Sequence, residues 1–395
     1  MRRGRGSRPE RGIVGENDGM RRTTARIAIA GAAALALGAL AGCSPSTAEL
    51  PPDSDSRVPV GEVVELTDGL TTPWSFELLD DGTTILSERD TALVKHLDAE
   101  GRETVLGEVP GVEPGGEGGL LGIARWTDEA EQTTWLYAFT TSAEDNRIIR
   151  MPLELGDGDA ASAPELDTAA AEVVLDGIRK AGNHNGGRIA FGPDGMLYAT
   201  TGDASDTALS QDPASLNGKI LRLTPQGGVP EDNPDPGSPV YTMGHRNPQG
   251  LAWDDRGRMW AAEFGQDTWD ELNLIEPGGD YGWPVVEGEA GDERFIDPVH
   301  QWSTAEASPS GLTAVRGTLF LAALRGERVW ALSPSEDASS VSAVAWFEGE
   351  FGRIRHVQPG PDGETLRFIT SNGDRGGEPG ADRLLEVRLD APREG

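Results

Sequence analysis

The sequence predicts an all-β fold: a six-bladed β-propeller of four-stranded antiparallel blades. Two observations carry this. First, long helical periodicity is missing, and the chain is made of short apolar runs broken by glycine, proline and aspartate. Second, one pattern recurs: an apolar strand, an Asp-Gly or Arg-Gly turn, and a second alternating strand. It reads LLDDGTTILSE (78–88), FGPDGMLYATTGD (191–203), WDDRGRMWAAEFG (253–265), AVRGTLFLAALRG (314–326) and PGPDGETLRFITSNG (359–373). ARWTDEAEQTTWLYAFTT (124–141) is a longer-turned variant. Copies roughly 45–65 residues apart fit propeller blades ringed about a central channel, and six copies give six blades. A β-sandwich, the competing all-β fold, has no need of so many similar hairpins. The propeller is placed at residues 58–389, with function expected in the loops that converge on one rim of the channel.

In chain order, residues 1–42 read as an N-terminal extension and a lipoprotein signal peptide. Arg21, Arg22 and Arg26 precede an apolar run from Ile27 to Leu40, which ends in Leu40-Ala41-Gly42-Cys43. The run is short and alanine-rich for a membrane span. Residues 1–19 precede a second methionine, Met20, which is an alternative start. The Leu-Ala-Gly-Cys sequence resembles a bacterial lipobox. That resemblance implies an exported protein whose lipidated Cys43 anchors it to the outer face of the cell membrane. Cys43 is the only cysteine, so an intramolecular disulfide is excluded. Residues 43–57, rich in proline, serine and aspartate, read as a flexible tether. The formal charge is −32, from 34 Lys+Arg against 66 Asp+Glu, which argues against nucleic acid and against a basic membrane-binding face.

Four segments carry candidate chemistry. GGEGGLLG (115–122) is a glycine-rich turn with one carboxylate, Glu117. AGNHNGGR (181–188) enters the 191–203 hairpin, so His184 stands before one strand and Asp203 after its partner. A hairpin returns the chain to its starting edge, so the two side chains meet at one rim, where a carboxylate would fix the imidazole tautomer and make His184 a better general base. Taken alone, His184 reads as a solvated loop histidine and Asp203 as a turn residue. GHRNPQGLAWD (244–254) supplies Arg246 and Asn247. The acidic run after it holds Glu263, Asp267, Asp270, Glu271 and Asp280 among glycines and suits a hard cation such as Ca²⁺, although acidic surface loops are common. In FGRIRHV (351–357), Arg353 and Arg355 alternate on a strand, face one side and need an anionic partner, either a protein carboxylate or a polyanionic ligand. The residues alone suggest oxidation or hydrolysis of a small polar molecule.

Together, HNGGR, FGPDG, the TTGD ending, GHRNPQGLAWD, DELNLIEPG with YGWP, and FGRIR, in this order, resemble the glucose/sorbosone dehydrogenase family of soluble quinoproteins, which use pyrroloquinoline quinone (PQQ). The resemblance runs from about GLTTPWSF (69–76) to FITSNG (368–373). It implies that His184 takes the anomeric hydroxyl proton of an aldose, with Asp203 as its partner and electrons leaving for an external acceptor. Glu117, His184, Arg246, Asn247, Arg325, Arg353 and Arg355 match PQQ-contacting positions, Arg246 being placed to stabilise charge on the reduced quinone. PQQ carries three carboxylates, which accounts for the arginines. Gly265 and Gln266 match positions whose backbone carbonyls hold a Ca²⁺ on the quinone, and Glu271 and Tyr281 match ligands of a second, structural Ca²⁺. Three departures stand out: Glu117 replaces glutamine, Arg325 lysine and Gln266 proline. A carboxylate at 117 beside an anionic cofactor is unfavourable unless it is protonated, paired or metal-bound. Two other functions fit a six-bladed propeller. A Ca²⁺-dependent sugar lactonase has no use for the Arg353/Arg355 pair, and a non-catalytic sugar- or protein-binding module has none for His184 with Asp203.

Overall fold

The computed structural model describes residues 56–156 and 163–391. Residues 1–42, Cys43 and the tether as far as residue 55 lie outside the described residues. The described chain is nearly all strand and forms six antiparallel sheets arranged as a six-bladed β-propeller. Blade I contains Pro73–Leu78, Thr84–Glu88, Leu93–Leu97 and Glu103–Glu108. Blade II contains Leu120–Asp128, Thr133–Thr141, Asn146–Glu154 and Glu172–Ile178, with a short fifth strand, Glu165–Leu166, against the third. Blade III follows as Ile189–Phe191, Leu197–Thr201, Lys219–Leu223 and Val240–Met243. Pro248–Trp253, Met259–Glu263, Trp269–Ile275 and His300–Ser303 make blade IV. Pro309–Val315, Thr318–Ala323, Arg328–Pro334 and Val341–Trp346 make blade V.

Blade VI is assembled from both ends of the described chain. Ile354–Pro359, Thr365–Thr370 and Asp382–Asp390 are completed by Val58–Leu70 as the outermost strand, paired from Val58 opposite Asp390 to Leu70 opposite Asp382 with three register shifts between. This seam closes the ring.

All six repeated segments fall on the same feature, the turn between the first and second strands of a blade. Phe191 pairs with Leu197 across it in blade III, and Trp253 with Met259 in blade IV. Second strands such as Thr84–Glu88 and Leu197–Thr201 are buried throughout, whereas the outer strand Glu103–Glu108 is mostly exposed. Inner strands packed on both faces therefore read as continuous apolar or small-residue runs. Among the described residues the core consists of six clusters, each joining neighbouring blades. Ile85 packs with Leu120 between I and II, Tyr137 with Leu197 between II and III, and Ile220 with Leu251 between III and IV. Trp260 with Leu319, Phe320 with Phe368, and Phe76 with Leu384 complete the circuit. Because each second strand returns to the rim where its first strand began, the loop before the first strand and the loop after the second share one rim in every blade.

Candidate functional site

That rim encloses a cavity of about 450 Å³ lined by Glu117, His184, Arg246, Asn247, Gly265, Gln266, Asp270, Arg325 and Arg353 among others. Of the residues singled out in the sequence, the cavity thus gathers Glu117, His184, Arg246, Asn247, Gly265, Gln266, Arg325 and Arg353 on one surface. They come from six loops, four that connect neighbouring blades and two within blades IV and V.

His184 is held from three sides. Its backbone is left-handed, with φ 56°. Its N–H donates to Glu117 Oε2 at 2.9 Å, and its carbonyl accepts from Ala204 N at 3.2 Å. Strained backbone of this kind persists only where surrounding contacts over-determine it. The ring Nδ1 lies 2.7 Å from Asp203 Oδ1, which leaves Nε2 as the nitrogen available to a ligand. Gly202 is obligatory here, because a Cβ on it would lie 2.0 Å from the His184 carbonyl oxygen. Gly186 and Gly187 serve packing, since their added Cβ atoms would strike Thr200 O and Leu121.

Asp203 is fully buried and accepts from His184 Nδ1, from Ser205 N at 2.8 Å and from Trp283 Nε1 at 2.9 Å. Burial raises its pKa, but those donors outweigh burial and hold it below the ordinary carboxylate value. The aspartate is therefore an anion that fixes the tautomer of His184 and would stabilise its protonated form. Trp283 was not singled out in the sequence, although it lies in the YGWP segment.

Cations line the same cavity. Arg246 is anchored through its backbone N–H to Glu263 Oε2 at 2.9 Å, and its Nη1 donates to the Phe264 carbonyl at 3.3 Å. Its buried Nε has no hydrogen-bond partner among the described residues. Behind it, the fully buried His245 bridges Glu263 Oε1 and Thr242 Oγ1, both at 2.8 Å. Asn247 Oδ1 takes the Gly186 N–H at 3.0 Å, leaving its amide donors for a ligand. Arg325 is exposed at the edge of the cavity.

Arg353 lies one residue before the strand that contains Arg355, so the pair is not wholly on a strand as its spacing suggested. The two do share a side, and the protein carboxylate between them is Asp374. Its Oδ2 is 3.1 Å from Arg355 Nη2 and 3.7 Å from Arg353 Nη2, while Oδ1 is 3.0 Å from Arg89 Nη1. Arg89 and Asp374 were both missed in the sequence. Arg355 is only 4% exposed and also donates to Gln249 Oε1 at 3.1 Å. Burial lowers it to about 10, so it stays cationic at neutral pH. It lines the deeper floor with Arg89, Gln249 and Asp374 rather than the main cavity wall. Glu117 is not an uncompensated anion, because it bonds the His184 N–H and attracts both Arg246 and Arg355.

Gly265 and Gln266 follow the second strand of blade IV. Gly265 N donates to Asp270 Oδ1 at 2.9 Å, and Ser308 N donates to Asp270 Oδ2 at 2.6 Å. Burial lifts the Asp270 pKa to about 6 against those two donors. A single oxygen, Glu287 Oε1, accepts from Gln266 N, Asp267 N, Thr268 N and Trp269 N at 2.8–3.1 Å.

Glu271 and Tyr281 are placed elsewhere. Both are buried behind the Arg246 anchor and neither lines the cavity. Glu271 accepts from Gly288 N and Asn273 Nδ2, and burial beside Glu263 raises its pKa. Tyr281 donates to the Leu274 carbonyl, accepts from Glu276 N and stacks on His245. Their side-chain oxygens thus have separate protein partners. No group of three or more His, Cys, Asp or Glu side chains among the described residues forms a metal cage.

The arrangement suits an anionic small-molecule guest. The volume lies in the range of small-molecule sites, three arginines and an amide supply donors, and the buried Arg246 Nε has no hydrogen-bond partner among the described residues. A hard cation fits the 265–266 loop through backbone oxygen. In a trans peptide the C=O points opposite to the N–H, so the two N–H groups given to Glu287 turn the Gly265 and Gln266 carbonyls away from it.

Fold and site define a class: a propeller with a polar, arginine-lined axial pocket and an aspartate-supported histidine on its wall. More particularly, the chain belongs to the glucose/sorbosone dehydrogenase family, whose model matches residues 70–377. It is similar to the PQQ-bound form of an aldose sugar dehydrogenase from Streptomyces coelicolor, with 50% identity and a TM-score of 0.76. The match covers 84% of this chain and 100% of that one. A Thermus thermophilus structure described as a putative oxidoreductase (glucose dehydrogenase) shares 41% identity with a TM-score of 0.73, over 83% of this chain and 99% of that one. The aldose sugar dehydrogenase YliI of Escherichia coli is 29% identical over 75% of this chain and 87% of its own length.

Proposed function

We propose that this protein is a PQQ- and Ca²⁺-dependent aldose dehydrogenase, which oxidises the anomeric carbon of a sugar to the lactone and passes the electrons to an external acceptor. The carrying observation is the His184–Asp203 pair, 2.7 Å apart, on the wall of a cavity lined by Arg246, Arg325 and Arg353. Those arginines and the Asn247 amide would hold PQQ, with Arg355 at the floor. The Gly265 and Gln266 carbonyls would hold Ca²⁺. When bound, PQQ supplies the two-electron acceptor for the hydrogen that leaves the sugar carbon.

The protein's own part is proton transfer and electrostatics. His184 Nε2 takes the anomeric hydroxyl proton, and the buried anion of Asp203 stabilises the imidazolium so formed. The Arg246 guanidinium, packed over the Trp283 ring at 5.5 Å, places a fixed positive charge where negative charge develops. Similarity to the PQQ-bound Streptomyces enzyme supports the same reading. A lactonase would have no use for the arginines that line this cavity beside Glu117 and Asp270. A non-catalytic module would gain nothing from a buried aspartate behind a left-handed histidine.

The test is reconstitution of purified protein with PQQ and Ca²⁺ and a dye-linked assay over a panel of aldoses, with the product analysed as lactone. Sugar oxidation that requires PQQ is expected. Sugar-lactone hydrolysis without PQQ would overturn the proposal. We further propose that Cys43 carries the lipid anchor. Cys43→Ala should then move the protein from the membrane to the soluble fraction at unchanged specific activity, and retention in the membrane would refute this.

A further inference from the structure

We infer that Glu287 is the positioning residue for the cation loop, acting on the metal without touching it. The inference rests on the PQQ and Ca²⁺ reading above. Its basis is the bonding of residues 265–269. Four successive backbone N–H groups, from Gln266 to Trp269, converge on one oxygen of Glu287 at 2.8–3.1 Å. Consecutive N–H groups arranged this way form a concave anion nest, and here the protein fills it with its own carboxylate. Asp270 takes the preceding N–H, that of Gly265.

The four N–H groups from 266 to 269 are therefore drawn to one side by a single carboxylate. Peptide planarity then fixes the Gly265 and Gln266 carbonyls on the other side. The loop has little other freedom at its start, since a Cβ on Gly265 would lie 1.7 Å from the Trp269 carbonyl oxygen. Gln266 matters to this device because it carries an N–H, whereas a proline at that position has none to give. Glu287 comes from the loop between the third and fourth strands of blade IV, so it braces the 265–269 loop from outside the cavity. It thereby prepays the ordering of two oxygen ligands.

The experiment titrates Ca²⁺ into metal-stripped, PQQ-loaded protein by calorimetry, for wild type, Glu287→Gln, Glu287→Ala and the exposed control Glu289→Gln. Hydrogen exchange at residues 266–269 is measured in parallel on the metal-free proteins. Glu287→Ala should weaken Ca²⁺ at least tenfold and speed exchange of those amides at least tenfold. Glu287→Gln keeps a carbonyl oxygen in the nest, so it should retain Ca²⁺ affinity to within about threefold, and Glu289→Gln should match wild type. Unchanged affinity or unchanged exchange in Glu287→Ala would overturn the inference while leaving the cofactor reading standing. A loss in Glu287→Gln as large as in Glu287→Ala would also overturn it, by showing that charge alone matters. Wild-type protein that takes up no Ca²⁺ would refute the cation reading itself, and this inference with it.

Discussion

Replacing Asp203 with asparagine tests the paired base most sharply. The carboxylate has two distinct duties. Oδ1 accepts from His184 Nδ1 and Ser205 N, and Oδ2 accepts from Trp283 Nε1. An asparagine can keep its oxygen toward His184 and Ser205, but its amide then faces the indole N–H, donor against donor. Two separable losses follow. The first is electrostatic: charge centres roughly 4 Å apart at an effective dielectric of about 20 interact by about 4 kcal/mol. The retained neutral hydrogen bond gives part of this back, so about 2–4 kcal/mol is lost when His184 becomes cationic, a drop of about 30- to 1000-fold in turnover. The second is structural: a buried indole N–H without a partner costs about 1–3 kcal/mol of stability.

Adding Trp283→Phe removes the conflicting donor, so it should restore part of the stability lost in Asp203→Asn without restoring turnover. The assays are dye-linked aldose oxidation at saturating PQQ and Ca²⁺, and chemical denaturation. His184→Gln should lose at least about 100-fold in turnover. Combined with Asp203→Asn it should be little worse, because the two residues act as one unit. Wild-type turnover in Asp203→Asn, or losses in the two variants that simply multiply, would refute the reasoning.

Arg353→Ala should weaken PQQ by about 10- to 100-fold, since a charge-assisted hydrogen bond is worth about 1.5–3 kcal/mol, with stability little changed because Arg89 and Arg355 still pair Asp374. Arg355→Ala should instead cost stability, about 1–3 kcal/mol by denaturation, because Gln249 and one oxygen of Asp374 lose a buried donor while Arg89 still pairs Asp374. Glu77 faces a second axial cavity, of about 210 Å³, beside Arg188 and His356, and burial raises its pKa to about 7. A raised carboxyl pKa means the folded state holds its proton more tightly. Stability is therefore lost as pH climbs from the unfolded value, near 4.5, through about 7. Allowing for water in the cavity, Glu77→Gln should gain on the order of 2 kcal/mol at pH 8 and nothing at pH 4.5, and an equal effect at both would exclude this account.

The ring was legible because its repeat is local: each copy contains a turn and two strands, and their chemistry shows over a dozen residues. The seam was not, because Val58–Leu70 lacks the repeat and its partner lies at the other end of the chain. His184 and Asp203 were legible because one hairpin joins them. Arg89 and Asp374, like Asp203, Gly265 and Arg325, lie in the loop that follows the second strand of a blade, but not at one common position in it. Aligning the copies points to those loops but not to the two residues. Glu287 left no such trace. Its partners are backbone N–H groups, which every residue but proline carries, and the loop that supplies it follows no repeat. For Glu271 and Tyr281, residue matching gave position but not side-chain partners, and those depend on packing behind the cavity.

The seam sets an order on folding. Blades I to V can each form once their own residues are available, because every strand in them pairs with a neighbour close in sequence. Blade VI must wait for Asp382–Asp390 to find Val58–Leu70, the pairing that spans nearly the whole described chain. Until it does, the open blade presents an unpaired strand edge, the kind of surface that recruits other chains. A chain that stops short of its last strand would therefore be held in an aggregation-prone horseshoe. The integrity of the C-terminal strand decides whether the ring closes at all.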